Sequence, residues 1–129
     1  MDKHQLLYYK DTAFCVYIAV EVDRLTDEII ALRPRVKVGV SGDIGRRRRA
    51  LRYQYGVETI YEIPCYKGNA FMIEKECILW LANMPTASLA FGEETFCVDK
   101  ELVPAIISMF PHLITVLEAK YPKQPCPFL

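Results

Sequence analysis

The segment 37–47 combines the residue types of a phosphate-binding site. Alternating apolar residues over 36–40 predict a strand, and a helix is expected over roughly 44–53. Gly42 and Gly45 permit a sharp turn between the two elements. Free backbone N–H groups and the dipole at a helix start attract an anion, and arginines in the first turn are bidentate phosphate donors. The glycine spacing matches neither a P-loop nor a dinucleotide fingerprint.

Basic residues are concentrated around this turn. Between positions 33 and 52 there are eight basic residues and one acid, a net charge of +7, and the rest of the chain carries −7. Ser41 or Asp43 can cap the helix. The run 46–49 consists of four arginines, which oppose the helix dipole; selection for helix stability alone would place Asp or Glu there. We therefore favour phosphate contact over the alternative, a solvated charged face. The eight basic residues are Arg33, Arg35, Lys37, Arg46, Arg47, Arg48, Arg49 and Arg52.

Two glutamates lie on a second predicted helix, over 70–82, whose core stripe includes Ile73 and Cys77. Glu74 falls at the edge of the buried face, where a carboxylate needs an arginine, a donor network or a metal ion as partner. Glu76 points elsewhere, and we expect it to pair with a surface lysine. On composition alone, an ion-paired or solvated Glu74 is the simpler interpretation. One carboxylate can nevertheless hold Mg²⁺ when substrate phosphates and water supply the other ligands.

The remaining elements must position these residues. Tyr17 lies in the apolar run 13–20, which predicts a buried strand, and taken alone it is a core tyrosine with a satisfied hydroxyl. The order of elements predicts a mixed α/β (α+β) domain with a three-stranded sheet flanked by helices. The further predictions are a strand over 57–63 stopped by Pro64, a short helix over 25–32 capped by Thr26, an extended piece over 95–98, and helices over 101–110 and 112–120 separated by Pro111.

Composition limits the class of protein. The chain has 129 residues, the size of one domain, and 52% hydrophobic residues are enough for a real core. We expect no membrane span, because no run of about 18 apolar residues is apparent. The N-terminus has no signal-peptide pattern. Five widely spaced cysteines form neither a disulfide framework nor a zinc signature, and two distant histidines make a histidine metal site improbable. We expect a soluble cytoplasmic protein in a reducing compartment.

Together these segments resemble the GIY-YIG nuclease superfamily. Cys15-Val16-Tyr17 is similar to the first strand motif, and Lys37-Val38-Gly39 is similar to the second, in the phage- and bacterial-type subgroup that carries K-[IV]-G there. Arg47 lies eight residues after Gly39, at the position of the family's helix arginine. Glu74 matches the metal-binding glutamate of the later helix. The stretch 91–96, F-G-E-E-T-F, is similar to a G-x-E-W/T-F segment of the subgroup.

The resemblance implies a mainly antiparallel sheet and a metal-dependent endonuclease that hydrolyses phosphodiester bonds of DNA. Glu74 would bind Mg²⁺ or Mn²⁺, and Arg47 would stabilise the transition state. Tyr17 would act as general base or orient the attacking water. Lys37 would replace a tyrosine, either lowering the pKa of the nucleophile or binding phosphate. Contacts to the neighbouring nucleic-acid backbone would come from Ser41, Arg46, Arg48, Arg49 and Arg52.

Two further hypotheses remain open at this point. One is a catalytically inactive GIY-YIG-like module that binds nucleic acid or protein. The other is an interaction protein that uses its acidic body. The resemblance divides the chain into an N-terminal extension over 1–12, a nuclease domain over 13–110, and a C-terminal helix and proline-rich tail over 111–129. A domain of this size without a targeting module predicts a homo-oligomer or a separate targeting partner.

Overall fold

The computed structural model describes residues 14–92 and 94–121. The predicted extension over 1–12, Glu93, Cys126 and the end of the tail lie outside the described residues. Two short helical turns accompany the elements given next. A π-helical turn, Leu51–Tyr55, lies between the first helix and the third strand, and a 3-10 turn, Lys100–Leu102, lies directly before the last helix. In chain order the elements are β1 (Phe14–Glu21), β2 (Arg35–Ser41), α1 (Ile44–Ala50), β3 (Val57–Cys65), α2 (Lys67–Ala82), β4 (Ser88–Phe91), β5 (Thr95–Cys97) and α3 (Val103–Lys120).

All five strands form one antiparallel sheet in the order β3-β1-β2-β5-β4. The expected mixed α/β class with an antiparallel sheet and flanking helices is confirmed. The expected number of three strands is wrong, because β4 and β5 complete the sheet. These two strands have four and three residues, too few for an alternating pattern to stand out in the sequence. The extended piece expected near 95–98 is β5, which pairs with β2.

The two faces of the sheet bury different side chains, because successive residues of a strand point to opposite sides. One face, here called the core face, carries Val16 and Ile18 of β1 and is covered by α2 and α3. The other, here called the cleft face, carries Tyr17 and Ala19 and is covered by α1 and the π-helical turn. Side chains packed on the core face include Val36, Val38, Ala70, Ile73, Cys77, Leu81, Ile106, Phe110 and Ile114.

Three of the described thiols belong to the core. Cys15, Cys65 and Cys77 are buried and form no disulfide. Burial raises the pKa of both Cys65 and Cys77 to about 12. At neutral pH these groups therefore behave as small apolar side chains and not as nucleophiles.

The connection between β1 and β2 contains turns where a short helix was expected over 25–32. The carboxylate of Asp23 accepts hydrogen bonds from the N–H groups of Leu25 and Thr26, at 2.9 and 3.1 Å. Asp27 has a φ of 57°, which a right-handed helix does not allow. The prediction is wrong because the Asp23 side chain stabilises a local turn that competes with helix formation.

Two prolines do not end the elements they were expected to end. β3 runs through Pro64 to Cys65, which an edge strand tolerates because its outer N–H groups need no partner. Pro111 lies inside a continuous α3, whose apolar side chains Phe110 and Ile114 are buried on either side of it. Packing of that apolar face outweighs the hydrogen bond that Pro111 cannot donate. The predicted boundary between 110 and 111 falls within this helix.

The segment Lys100–Lys120, α3 with the turn before it, is the one helix among the described residues that is long and apolar enough to be a candidate membrane span. The expectation of no membrane span was made from the lack of an uninterrupted apolar run, and it stays a prediction. An apolar core helix meets the criterion for a candidate span as well, and the buried side chains of α3 pack on the core face of the sheet. The criterion concerns length and composition only, so no membrane association follows from it.

Candidate active site

Tyr17 and Gly39 lie opposite each other on β1 and β2, and the tyrosine ring crosses the glycine. A Cβ atom at position 39 would stand closer than 3.0 Å to the hydroxyl oxygen and to two ring carbons of Tyr17. Only glycine therefore leaves room for this ring on the cleft face. The motif Lys37-Val38-Gly39 was identified from its residue types, and the structure supplies the steric reason for its glycine.

Arg47 projects from α1 onto this tyrosine. Its Nε donates a hydrogen bond of 3.1 Å to the Tyr17 hydroxyl, and Tyr17 itself is fully buried. That hydrogen bond is the main cause that raises the pKa of Arg47, with further support from Glu94. The guanidinium is thus held in one place and stays protonated. The neighbouring Arg48 instead donates its hydrogen bonds to Glu62 of β3.

Lys37 lies two residues before Gly39, on the same side of β2. Its Nζ donates a hydrogen bond of 2.6 Å to Oε2 of Glu94, and the two groups form an ion pair. The Lys37 side chain is only 9% exposed, whereas that of Glu94 is 42% exposed. A nearly buried ammonium is thereby paired with a carboxylate that is partly exposed.

Glu74 reaches the same cleft from α2. The backbone of Val40, near the end of β2, lies close enough to the Glu74 carboxyl to act on its pKa, which it lowers. Burial raises the pKa of Glu74, and Glu94 raises it further, while Lys37 and Arg47 act in the opposite direction. These groups are therefore near enough to act on one another. The structure thus brings Tyr17, Lys37, Arg47 and Glu74 together in one cluster on the cleft face, and we call this cluster the cleft.

The donor set of the cleft fits one type of cation. Among the described residues, Glu74 has no ion-pair partner, and no three His, Cys, Asp or Glu side chains cluster as a metal-binding group. A half-buried carboxylate of this kind suits Mg²⁺ or Mn²⁺, which use one or two carboxylates and complete their shells with water and phosphate oxygens. It does not match the Cys and His ligands typical of zinc.

The predicted nucleic-acid contacts divide into two pairs of arginines. Arg48 makes two hydrogen bonds of 2.5 Å to Glu62, and Arg52 forms a 2.9 Å ion pair with Glu58, so both attach the α1 region to β3. The side chains of Arg46 and Arg49 are exposed and have no hydrogen-bond or ion-pair partner within the described part of the chain. We call these the paired arginines (48 and 52) and the open arginines (46 and 49).

Ion pairing also reduces the positive charge expected over 33–52. Arg33 pairs with Asp99 at 2.6 Å, and Arg35 pairs with Glu21 at 3.5 Å. With Lys37 and the paired arginines, five of the eight basic residues have acidic partners from other parts of the chain. The net charge of a sequence segment therefore overstates the positive potential of the surface that it forms.

The helix start expected to bind an anion is already occupied. A carboxylate oxygen of Asp43 accepts the N–H of Arg46 at 3.2 Å, so Asp43, and not Ser41, caps α1. Ser41 instead accepts the N–H of Asp43 at 3.0 Å and shapes the turn. A negatively charged cap disfavours a phosphate at this position. Phosphate binding in the cleft therefore has to rely on the side chains of Arg47 and Lys37.

Glu94 is the residue of the cleft that the sequence did not single out. It lies within the stretch 91–96 used for the resemblance, but no role followed from its type. The pairing of β2 with β5 places Thr95 opposite Lys37, and so brings Glu94 beside the lysine. A prediction that β5 pairs with β2 would have identified this contact.

Comparison with known proteins makes no assignment: no protein-family model, no curated protein and no solved structure matches the chain.

Proposed function

We propose that this protein is a metal-dependent endonuclease that hydrolyses phosphodiester bonds of DNA. The observation that carries the proposal is the convergence of Tyr17, Lys37, Arg47 and Glu74 from β1, β2, α1 and α2. Burying four polar or charged groups in one place costs stability, so such clusters are typical of functional sites. Their types are the ones phosphodiester hydrolysis requires: a cation for the transition state, a carboxylate for a metal ion, and groups that act on the nucleophile.

Arg47 and Lys37 are the groups that would meet the scissile phosphate. The hydrogen bond from Arg47 to Tyr17 holds the guanidinium in a fixed position, so little reorganisation is needed as negative charge develops on the phosphate oxygens. Lys37 adds a second positive charge in the cleft. It would either bind a phosphate oxygen or lower the pKa of the nucleophile.

Glu74 is the residue that would hold Mg²⁺ or Mn²⁺, with phosphate oxygens and water as the other ligands. When bound, such an ion neutralises charge on the scissile phosphate and on the leaving oxygen. The carboxylate binds a cation only when it is ionised. Its raised pKa therefore predicts that metal binding weakens as the pH falls toward that pKa.

Tyr17 has two possible roles, and its burial bears on both. As a general base or water-orienting group it must reach the nucleophile, yet its hydroxyl is buried and accepts the hydrogen bond of Arg47. In this arrangement the hydroxyl acts on Arg47, which favours a positioning role. The general-base role requires that Arg47 move away when substrate binds.

Plasmid nicking tests the proposal. Supercoiled DNA is incubated with the protein over a Mg²⁺ titration, and Glu74→Ala is expected to abolish nicking. Glu76→Ala is the matched control, because Glu76 lies two residues along α2 and pairs with Lys120 at 2.8 Å, which confirms the surface ion pair expected from the sequence. Cleavage by Glu74→Ala at the rate of the unaltered protein would contradict the proposal.

The alternative is a catalytically inactive module of the same fold that binds nucleic acid or protein. The full burial of Tyr17 and the engagement of Lys37 by Glu94 favour it. Salt-sensitive DNA binding without metal-dependent cleavage would support this alternative. In either case, the predicted homo-oligomer or targeting partner would supply selectivity of sequence or location.

A further inference from the structure

Lys37 lies within the field of two carboxylates, and the sheet fixes its position relative to one of them. The backbone carbonyl of Glu94 accepts the N–H of Val38 at 3.3 Å, and the next residue, Thr95, lies opposite Lys37 in the β2–β5 pair. The side chains then meet at 2.6 Å. Backbone pairing and side-chain pairing thus act together, so Glu94 is anchored beside the lysine ammonium.

We propose that Glu94 is a positioning residue that engages the ammonium of Lys37 and thereby keeps Glu74 available for a divalent cation. The inference rests on the proposed function and extends it, because it assigns a role to a residue that contacts Lys37 and not the substrate. Glu94 acts through Lys37, and its own side chain is 42% exposed.

The reason is the charge balance of the cleft. Glu74 and Glu94 are balanced by Lys37 and Arg47, and Arg47 is committed to Tyr17. Without the Glu94 carboxylate, Glu74 is the acidic neighbour that the described residues leave to the nearly buried Lys37 ammonium. A buried ammonium without a partner is unfavourable, so Lys37 would pair with Glu74 or, at the least, repel a cation bound there.

Metal binding without DNA tests this directly. Binding of Mn²⁺ is measured by calorimetry, and by electron paramagnetic resonance of the free ion, for the unaltered protein, Glu94→Gln, and the double variant Glu94→Gln/Lys37→Met. Glu94→Gln is expected to weaken Mn²⁺ binding about 10- to 100-fold, the range typical of residues that support a metal ligand. The double variant removes the unpaired ammonium and is expected to restore binding to within about threefold of the unaltered protein. Glu101→Gln, at an exposed site outside the cleft, is the matched control.

Each result has one meaning. Equal affinity of Glu94→Gln and the unaltered protein would overturn the inference, and so would a double variant as weak as Glu94→Gln, because Glu94 would then act on the cation itself. Unfolding curves of each variant exclude loss of the fold as the cause. If the unaltered protein neither binds Mn²⁺ nor cleaves DNA, the proposed function fails together with the inference. If it does both and Glu94→Gln binds Mn²⁺ normally, the inference alone fails.

Discussion

The core face and the cleft face of the sheet are built from the same strands and bury opposite kinds of side chain. On β1, Val16 and Ile18 pack against α2 and α3, while Tyr17 between them faces α1. On β2, Val36 and Val38 face the core, while Lys37 faces the cleft. Successive side chains of a strand thus serve different purposes. Those on the core face supply the apolar burial that stabilises the fold, and those on the cleft face supply polar groups.

The difference between the faces lies in how burial is compensated. Core-face side chains need no partners beyond close packing. On the cleft face, Tyr17 accepts from Arg47, and Lys37 pairs with Glu94. Glu74, which reaches the cleft around the end of β2, has no ion pair within the described residues. Of the two carboxylates that the structure describes in the cleft, the one proposed to bind metal is therefore the one without a cationic partner.

The core face should govern stability without governing chemistry. Ile106 of α3 is 1% exposed, so Ile106→Ala removes buried methyl groups and leaves a cavity, at a cost of about 2–5 kcal/mol of unfolding free energy. Met109→Ala, on the same helix but 48% exposed, should change it by less than about 0.5 kcal/mol. Urea unfolding measures both. Nicking by Ile106→Ala below its unfolding temperature should stay close to normal. A selective loss of nicking in the folded variant would contradict the claim that the core face governs stability alone.

Much of this division was visible in the sequence. Local periodicity predicts the apolar runs of β1 and β2, the helical stripe of α2 and the edge position of Glu74. Periodicity is a local property of the chain, which is why these features could be predicted. The four site residues were selected through the resemblance of their motifs to GIY-YIG nucleases, and the structure places their side chains near one another.

What the sequence could not show are the contacts between distant segments. The ion pairs of Arg48 with Glu62 and of Lys37 with Glu94 join residues 14 and 57 positions apart, and each changes which groups are open to a ligand. The short strands β4 and β5 were not predicted for a related reason. They are stabilised by pairing with other strands and not by an alternating pattern in their own sequence. Pro111 was misjudged because burial of a long apolar helix outweighed a local preference.

The two pairs of arginines near α1 differ in whether an acidic side chain already engages them. If the open arginines contact phosphates, Arg46→Ala/Arg49→Ala should weaken DNA binding and reduce the slope of log K against log salt concentration by about 2, because each phosphate contact contributes about 0.9. Arg48→Ala/Arg52→Ala should change the slope less, because Glu62 and Glu58 already engage those guanidinium groups. Fluorescence anisotropy over a salt series measures both. Equal slopes for the two double variants would show that the ion pairs open on binding.

The smallest expected effect concerns two glutamates on α2 whose pKa values shift in opposite directions. Burial raises the pKa of Glu74, so between its ordinary and its raised value the folded state binds more protons than the unfolded state, and stability falls as the pH rises through that interval. At pH ~7 the ionised carboxylate therefore opposes folding. Glu74→Gln should raise the Tm there by roughly a few degrees and leave it unchanged below about pH 4, where both side chains are neutral.

Glu76 gives the control with the opposite sign. The Lys120 ammonium lowers the pKa of Glu76, so its contribution to stability is present at neutral pH and is lost as the pH falls through that lowered value. Glu76→Gln should therefore lower the Tm slightly at pH ~7. Calorimetric scans of both variants at pH ~7 and below about pH 4 measure these changes in Tm. A fall in Tm for Glu74→Gln at neutral pH would mean that its carboxylate is stabilised in the fold, and that the cleft holds a structural ion pair in place of an open cation ligand.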